Sequence, residues 1–298
     1  MKSFRSWLCA MLVLAMVLGS VPVTARAAEI TEPEGTVAEE QTATIPETTG
    51  ETEPEVTEVT EPEVTEEPAL QKGDIMSIPF QVNPLYEGIY TADDFPASHQ
   101  NELYQGELYA STTYLTVAKA GEKVRTAMKN RQDSISVSFK TKIASAQTAC
   151  EEVMAEAMKH TGDPLGGDYL MWQYAGWSGP SVSRRYNDST QMYEYSATLR
   201  ISYYTTAQQE AELTTAINKL KTSLKLSGKS NYDKIFAVYD YMCQNITYDY
   251  DNLNDSSYKL KHTAYAALIN KTAVCQGYAL LFYRIMLELG IDCRLIAG

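Results

Sequence analysis

The chain has 298 residues, of which 44% are hydrophobic, with 25 Lys and Arg, 38 Asp and Glu, three His and five Cys. That length is enough for one or two domains with a buried core, and five cysteines are too few for a disulfide scaffold. Residues 29–68 hold 14 Glu and no Lys or Arg, whereas residues 69–298 carry 22 basic and 24 acidic side chains. A near-neutral globular part without a basic stripe argues against nucleic acid as the main partner and against a polybasic membrane contact.

The N-terminal segment has the pattern of a signal peptide. Lys2 and Arg5 precede an apolar run over residues 8–19, and Ala25-Arg26-Ala27 has the small-x-small pattern that suits cleavage by a signal peptidase. The run is shorter than the roughly 20 apolar residues that span a membrane, and no later segment is long and apolar enough to do so. We therefore predict a signal peptide over residues 1–27 and a secreted, extracellular protein that can associate with the cell envelope. An uncleaved N-terminal anchor is the alternative.

Residues 28–73 form a low-complexity segment built from Thr-Glu-Pro-Glu-like units. Between residues 29 and 68 it has five Pro, ten Thr and no aromatic residue. A chain of this composition cannot bury enough apolar surface to offset its conformational entropy, and its like charges keep it extended. We predict a disordered acidic linker that acts as a spacer. The alternative is a segment that binds a specific ligand or calcium.

Residues 74–228 alternate between helical and strand patterns and predict a small α+β domain. Strict alternation over residues 134–139 predicts a half-buried strand, and helix formers over residues 144–159 predict the helix after it. The remaining predicted elements are a helix with apolar positions near Val117, Val124 and Met128, strands over residues 169–174 and 181–186 around a turn at 176–180, a strand over residues 193–204, and a helix that Thr206 caps and that ends near Gly228.

Residues 229–298 are predicted to form a second domain. The elements expected there are, in chain order, a helix over residues 230–245 capped by Ser230 or Asn231, a short helix over residues 263–269, a helix that starts at Cys275 and stops at Gly290, and a strand over residues 291–297. The helix after Cys275 is apolar on nearly all sides, which is typical of a buried helix.

Cys275 is the candidate nucleophile because it lies in the first turn of that helix. The free N–H groups and partial positive charge at a helix N-terminus favour the thiolate, which is the nucleophilic form of cysteine. The same N–H groups can hold the oxyanion of a tetrahedral intermediate, and Gly277 would keep the approach to the sulfur open. On spacing alone, a buried core cysteine is an equally good interpretation.

Six short motifs follow one another in this region: YDKI at 232–235, YDY at 239–241, ITYDY at 246–250, HTAYAAL at 262–268, VCQGYA at 274–279 and LGIDC at 289–293. In this order they resemble the bacterial transglutaminase-like superfamily, whose members share a papain-like cysteine protease core. The resemblance covers residues 230–298 and implies the front part of such a core after the small α+β domain. The leading segment Asn83-Pro84-Leu85-Tyr86 also looks like what often precedes this core in secreted proteins of Gram-positive bacteria.

The resemblance implies a secreted cysteine acyltransferase or peptidase that acts on protein or peptide substrates. Cys275 would be the nucleophile of a Cys-His-Asp triad and would form a thioester with a glutamine or peptide carbonyl, to be resolved by an amine or by water. The family's triad histidine and aspartate lie downstream of the cysteine, on strands that would follow Gly298. The histidine nearest to the cysteine in sequence is His262, for which we expect packing or helix capping near the site, with a substitute base as the alternative.

The same resemblance implies a fragment, truncated before the triad histidine and aspartate, that shows no turnover alone. The helix after Cys275 would lack the sheet that covers it, at a cost of roughly 5–9 kcal/mol for three large side chains, and the C-terminal half would be poorly folded. The residues expected to be exposed are Leu280, Leu281, Phe282, Ile285 and Met286. The alternative function is a non-catalytic cell-envelope binding or scaffold module that keeps the transglutaminase-like fold.

The sequence predicts no cofactor and no metal centre. The acidic loop over residues 249–255 lacks the glycine and distal Glu of an EF-hand, so we expect a solvated loop instead of a calcium site. Export would permit one disulfide among Cys150, Cys243 and Cys293, with no pair preferred.

Overall fold

The computed structural model of the protein describes residues 74–95 and 113–296. The predicted signal peptide (1–27) and acidic linker (28–73) lie outside the described residues and stay predictions, as does the domain boundary at residue 228. Among the helices that are described, none combines the length and the apolar character needed to cross a membrane.

A five-stranded sheet and three helices build the first half of the described chain. The strands are β1 (Asp74–Val82), β2 (Leu115–Thr116), β3 (Ser134–Thr141), β4 (Tyr174–Asn187) and β5 (Met192–Tyr203). Their order across the sheet is β1-β4-β5-β3-β2, and neighbours are antiparallel except β2 and β3, which run parallel. The sheet shares a buried core with α1 (Val117–Lys129) and α2 (Ala146–Ala157). The predicted α+β class is confirmed, together with the predictions for α1, β3, α2 and β5.

The predicted strand over residues 169–174 is wrong, because Gly167–Gln173 forms a helix, α3. Leu170 lies in the core under the sheet, whereas its neighbour Tyr169 lies in a second core around the C-terminal helix. A short element that is buried on two sides shows neither the helical nor the strand periodicity of apolar residues. Its sequence alone therefore does not distinguish a helix from a strand.

The predicted turn at residues 176–180 is also wrong, since β4 continues through it with an irregular pairing between Ser178 and Ser181. Gly176 serves close packing of strands instead. A Cβ atom at that position would lie 2.5 Å from the carbonyl oxygen of Gln81 on β1. The glycine that resembled a turn residue therefore marks a close approach between two strands.

Helices build the second half of the described chain. Its elements are α4 (Ala207–Ser223), α5 (Asn231–Asn245), β6 (Thr247–Tyr248), β7 (Thr272–Ala273) and α6 (Cys275–Glu288). The caps are as predicted, since Thr206 Oγ1 accepts from the Gln209 N–H at 3.2 Å and Ser230 Oγ accepts from the Asp233 N–H at 3.1 Å. Helix α4 ends before the predicted Gly228, and the predicted short helix is a π-helical turn over Ala266–Asn270.

The predicted exposure of the apolar residues after Cys275 is wrong. All five are at most 9% exposed: Leu280, Leu281, Phe282, Ile285 and Met286. They share the second core with Tyr169 of α3, Leu213 of α4 and Val238 of α5. Three helices therefore supply the cover that the resemblance had assigned to a sheet.

The predicted strand over residues 291–297 is not present in the described residues 291–296. Arg294 Nε and Nη2 lie 2.7 and 2.9 Å from the carboxylate oxygens of Asp168, which is buried in α3. The backbone N–H of Leu295 donates to the same carboxylate at 2.8 Å. This segment is therefore tied to a helix through one buried carboxylate.

Glu210 of α4 is a buried carboxylate that joins the two halves. Its oxygens lie 2.8 Å from Arg131 Nη2, after α1, and 2.8 Å from Arg284 Nη1, in the middle of α6. Tyr169 and Thr205 also donate their hydroxyls to it, at 2.9 and 2.7 Å. Burial acts to raise the pKa of Glu210, but the two arginines and the hydroxyls outweigh it and hold that pKa below its usual value. The carboxylate therefore stays charged inside the protein.

We expect Glu210→Gln to lower the free energy of unfolding by about 3–5 kcal/mol, because the buried Arg131 guanidinium loses its carboxylate partner and Arg284 keeps only its contact with Glu288, at 3.3 Å. Denaturant unfolding measures this, with Glu122→Gln, at an exposed position of α1, as the control that changes it by less than about 0.5 kcal/mol. Because the folded-state pKa lies below the ordinary 4.5, the contribution of Glu210 is complete above that pH and is lost as the pH falls through the folded-state value. A difference between wild type and Glu210→Gln that does not shrink in acid would contradict the assignment.

Candidate active site

Cys275 is the first residue of α6, and its thiol is exposed. The preceding Val274 has an extended backbone (φ −84°, ψ 176°), and no side chain caps the helix. The N–H groups of the first turn are therefore directed at the surface where the sulfur lies. The interpretation of Cys275 as a buried core cysteine is wrong.

The other described cysteines differ from Cys275 in their surroundings. Cys150 is fully buried, and burial raises its pKa to about 12. Burial likewise raises the pKa of Cys293 to about 12. All four described cysteines, including Cys243, are free thiols, so the disulfide that export would permit is not formed among them.

Tyr248 is the side chain that the structure brings to Cys275. Strand β6 pairs with β7, the two-residue strand just before the cysteine, through Thr247 N–H to Lys271 O at 2.8 Å and Asp249 N–H to Ala273 O at 3.0 Å. This register brings the Tyr248 hydroxyl beside Cys275, where its oxygen accepts from the backbone N–H and its proton faces the sulfur. Burial first, and the sulfur's charge second, raise the pKa of Tyr248, so its hydroxyl stays protonated and able to donate.

Sequence reasoning did not single out Tyr248, although it lies in the quoted motif at 246–250. The signal that could have found it is the pairing of two very short strands, since β6 holds Tyr248 beside the site only because β7 runs parallel to it. Tyr250 packs next to Tyr248, with its ring centroid 4.8 Å from that of Tyr248, and its side chain is exposed.

Gly277 has a different role from the predicted one. A Cβ atom there would lie 2.7 Å from Ala273 Cβ, 2.9 Å from Thr263 O and 3.0 Å from Lys261 O. Two of these atoms belong to the backbone, so a larger residue would push the chain away from the helix. The glycine therefore lets the turn before the π-helix pack directly on α6, and it does not open a path to the sulfur.

His262 is buried beside the start of α6, but none of its contacts among the described residues is with Cys275. Its Nε2 lies 2.9 Å from the Tyr90 hydroxyl, and its ring packs edge-on against the rings of Tyr86 and Tyr90. Burial, with the charge of Lys261 adding to it, lowers the pKa of His262 to about 4, while Gln276 opposes the shift. His262 is therefore a neutral packing residue and not a substitute base.

His160 forms a histidine–carboxylate pair, but at the opposite end of α6. Its Nε2 lies 2.9 Å from Asp292 Oδ1, and its Nδ1 lies 3.3 Å from the Tyr283 hydroxyl. A helix rises 1.5 Å per residue, so the pair is about 20 Å from Cys275 along the axis. The third histidine, His99, lies outside the described residues. Among the described residues, no imidazole contacts the candidate nucleophile.

The acidic loop at residues 249–255 is organised by a lysine. Lys261 is 3% exposed, and its Nζ donates to the carbonyl oxygens of Asn252, Leu253 and Asp255 at 2.7, 3.0 and 2.7 Å. These oxygens are the type of ligand that calcium takes, and here an ammonium group occupies the position in front of them. In the described part of the chain, no group of three or more His, Cys, Asp or Glu is arranged to hold a metal ion.

We expect Lys261→Met to reduce the free energy of unfolding by about 3 kcal/mol, because three carbonyl oxygens lose their donor while the aliphatic stem is kept. Thermal and denaturant unfolding measure the effect. Lys219→Met, at an exposed position of α4, is the matched control and should leave stability nearly unchanged. A variant at position 261 as stable as the control would show that the loop does not depend on this ammonium group.

Residues 218–298 match the family model described as transglutaminase-like superfamily. The match runs from the last turns of α4 through α6 and includes Cys275, so this part of the chain is a transglutaminase-like domain. Comparisons with curated proteins and with solved structures gave no significant match. The predicted resemblance is thus confirmed for the C-terminal part of the chain.

Proposed function

We propose that the protein carries out thiol-dependent acyl transfer, with Cys275 as the nucleophile that attacks a glutamine or peptide carbonyl of a protein or peptide substrate. The single observation that carries this proposal is an exposed thiol at the uncapped N-terminus of a buried helix within the transglutaminase-like domain. A helix N-terminus favours the thiolate and supplies N–H groups, and both are needed for nucleophilic attack at a carbonyl.

The chemistry at the sulfur follows from these groups. The thiolate attacks the carbonyl carbon, a C–S bond forms, and the carbonyl oxygen becomes an oxyanion held by the Cys275 N–H and the Tyr248 hydroxyl. The C–N bond then breaks, and the amine leaves with a proton supplied by a general acid. An incoming amine or water finally releases the acyl group from the thioester and restores the thiol.

The proton transfers need a base that the described residues do not place beside Cys275. We propose that a histidine and an aspartate from outside the described residues complete the site, as the family resemblance implies. The described part would then accept an acyl group from an activated ester, whose leaving group needs no proton, but would not turn over an amide. A secreted protein acting at the cell envelope fits the predicted signal peptide and acidic linker.

Acylation by p-nitrophenyl acetate tests the nucleophile directly. Attack forms the Cys275 acetyl thioester and releases p-nitrophenolate with the bonding electrons, so absorbance and peptide mass report the same event. We expect preferential acetylation of Cys275, its loss in Cys275→Ser, and no effect of Cys243→Ser, which removes the partly exposed thiol of α5. Equal acetylation of Cys243 and Cys275 would overturn the proposal and favour a non-catalytic binding or scaffold module.

Tyr248→Phe removes only the hydroxyl beside the sulfur. Loss of one oxyanion donor lowers the rate of the chemical step by about 100-fold in comparable sites, and we expect an effect of that order on acetylation of Cys275. Tyr250→Phe is the matched control, because that hydroxyl belongs to the neighbouring exposed ring. Equal rates in the two variants would mean that Tyr248 does not stabilise the oxyanion.

A further inference from the structure

The motif Asn83-Pro84-Leu85-Tyr86 fixes a single turn onto the end of α3. Asn83 is 1% exposed, and its Nδ2 donates to the carbonyl oxygens of Met171 and Tyr174, both at 2.8 Å. Its Oδ1 accepts from the Leu85 N–H at 3.1 Å. These bonds satisfy carbonyl groups that a helix C-terminus leaves free, so the position of the turn is determined by the helix.

Tyr86 links this turn to Gln276, the residue that follows Cys275. Its side chain is fully buried, and its hydroxyl donates to the Trp172 carbonyl oxygen at 2.7 Å. Gln276 donates its Nε2 to the Tyr86 hydroxyl and, at 3.3 Å, to the same Trp172 oxygen. Burial raises the pKa of Tyr86, so the hydroxyl keeps the proton that it donates. The three groups form a closed set of hydrogen bonds.

The other side of Gln276 faces the aromatic cluster around His262. Gln276 opposes the burial that lowers the pKa of His262, and both side chains lie against Tyr86. His262 Nε2 is in turn 2.9 Å from the hydroxyl of Tyr90, four residues after Tyr86. The Gln276 side chain is therefore held through Tyr86 and Trp172, and the imidazole of His262 is held through Tyr86 and Tyr90.

We propose that Tyr86 and Gln276 are positioning residues that orient the first turn of α6, and with it the N–H and thiol of Cys275. Helix α6 has no side-chain cap, and the anchored side chain of its second residue adds to the bonds of Val274 and Tyr278 that tie this turn to the rest of the protein. The inference rests on the proposed function of Cys275. It implies that the leading segment, which lies outside residues 218–298, helps to hold the helix that carries the nucleophile.

Alkylation of Cys275 by iodoacetamide, followed by mass spectrometry of the Cys275 peptide between about pH 5 and 9, tests the proposal. In Tyr86→Phe and in Gln276→Met we expect alkylation to be about fivefold slower at neutral pH and the pH–rate profile to move to higher pH, because misaligned N–H groups stabilise the thiolate less. The double variant should be no slower than either single variant, since both changes break the same set of hydrogen bonds.

Tyr195→Phe is the matched control. It removes a buried hydroxyl that donates to the Ile143 and Ala144 carbonyl oxygens at 2.8 and 2.9 Å, in the core under the sheet. We expect it to lower the melting temperature as Tyr86→Phe does while leaving alkylation of Cys275 unchanged. If Tyr86→Phe does not fold, Gln276→Met carries the same comparison, because its side chain is only partly buried.

A pH–rate profile unchanged in both variants, with only the melting temperature lowered, would overturn the positioning role. Alkylation needs the thiolate alone, so this readout is independent of any acyl transfer. If the pH–rate profiles of both variants move to higher pH but wild-type Cys275 is not acetylated, the positioning role is supported and the proposed function fails. Normal acetylation in Tyr86→Phe with an unchanged profile would reject the positioning role alone.

Discussion

The structure depends on one buried charge, the Glu210 carboxylate between Arg131 and Arg284. The arginines come from opposite halves of the described chain, and removing the carboxylate between them would leave buried guanidinium charge without this partner. The sheet with its helices and the helical part around α6 therefore acquire their stability together. Because Arg284 lies in the middle of α6, this ion pair also ties the centre of the helix that begins at Cys275 to α4.

The elements that the sequence predicts correctly are those that depend on interactions between neighbouring residues. Alternation in β3, the caps at Thr206 and Ser230, and the helix that starts at Cys275 all depend on neighbouring residues, so the pattern alone is sufficient. The position of the nucleophile at a helix start is such a feature. The predicted superfamily is likewise confirmed over residues 218–298, because its motifs are short and follow one another in a fixed order.

Contacts between distant residues account for what the sequence does not predict. Helix α3 packs against two cores, so its apolar residues follow neither the helical nor the strand periodicity. The role of Gly277 depends on the backbone at Lys261 and Thr263, and that of Tyr248 on a two-residue parallel pairing. The exposure expected for α6 is wrong for the same reason, since its cover comes from helices that begin more than 40 residues earlier in the chain.

Lys261 gives the loop beside the site a property that a metal-organised loop does not have. A loop shaped by calcium changes with the concentration of that ion, whereas here the positive charge is covalently part of the chain. The segment that continues from Tyr248 and Tyr250 thus keeps its shape whether divalent ions are abundant or chelated. Buffers containing chelators and buffers rich in divalent ions should yield the same geometry around the sulfur.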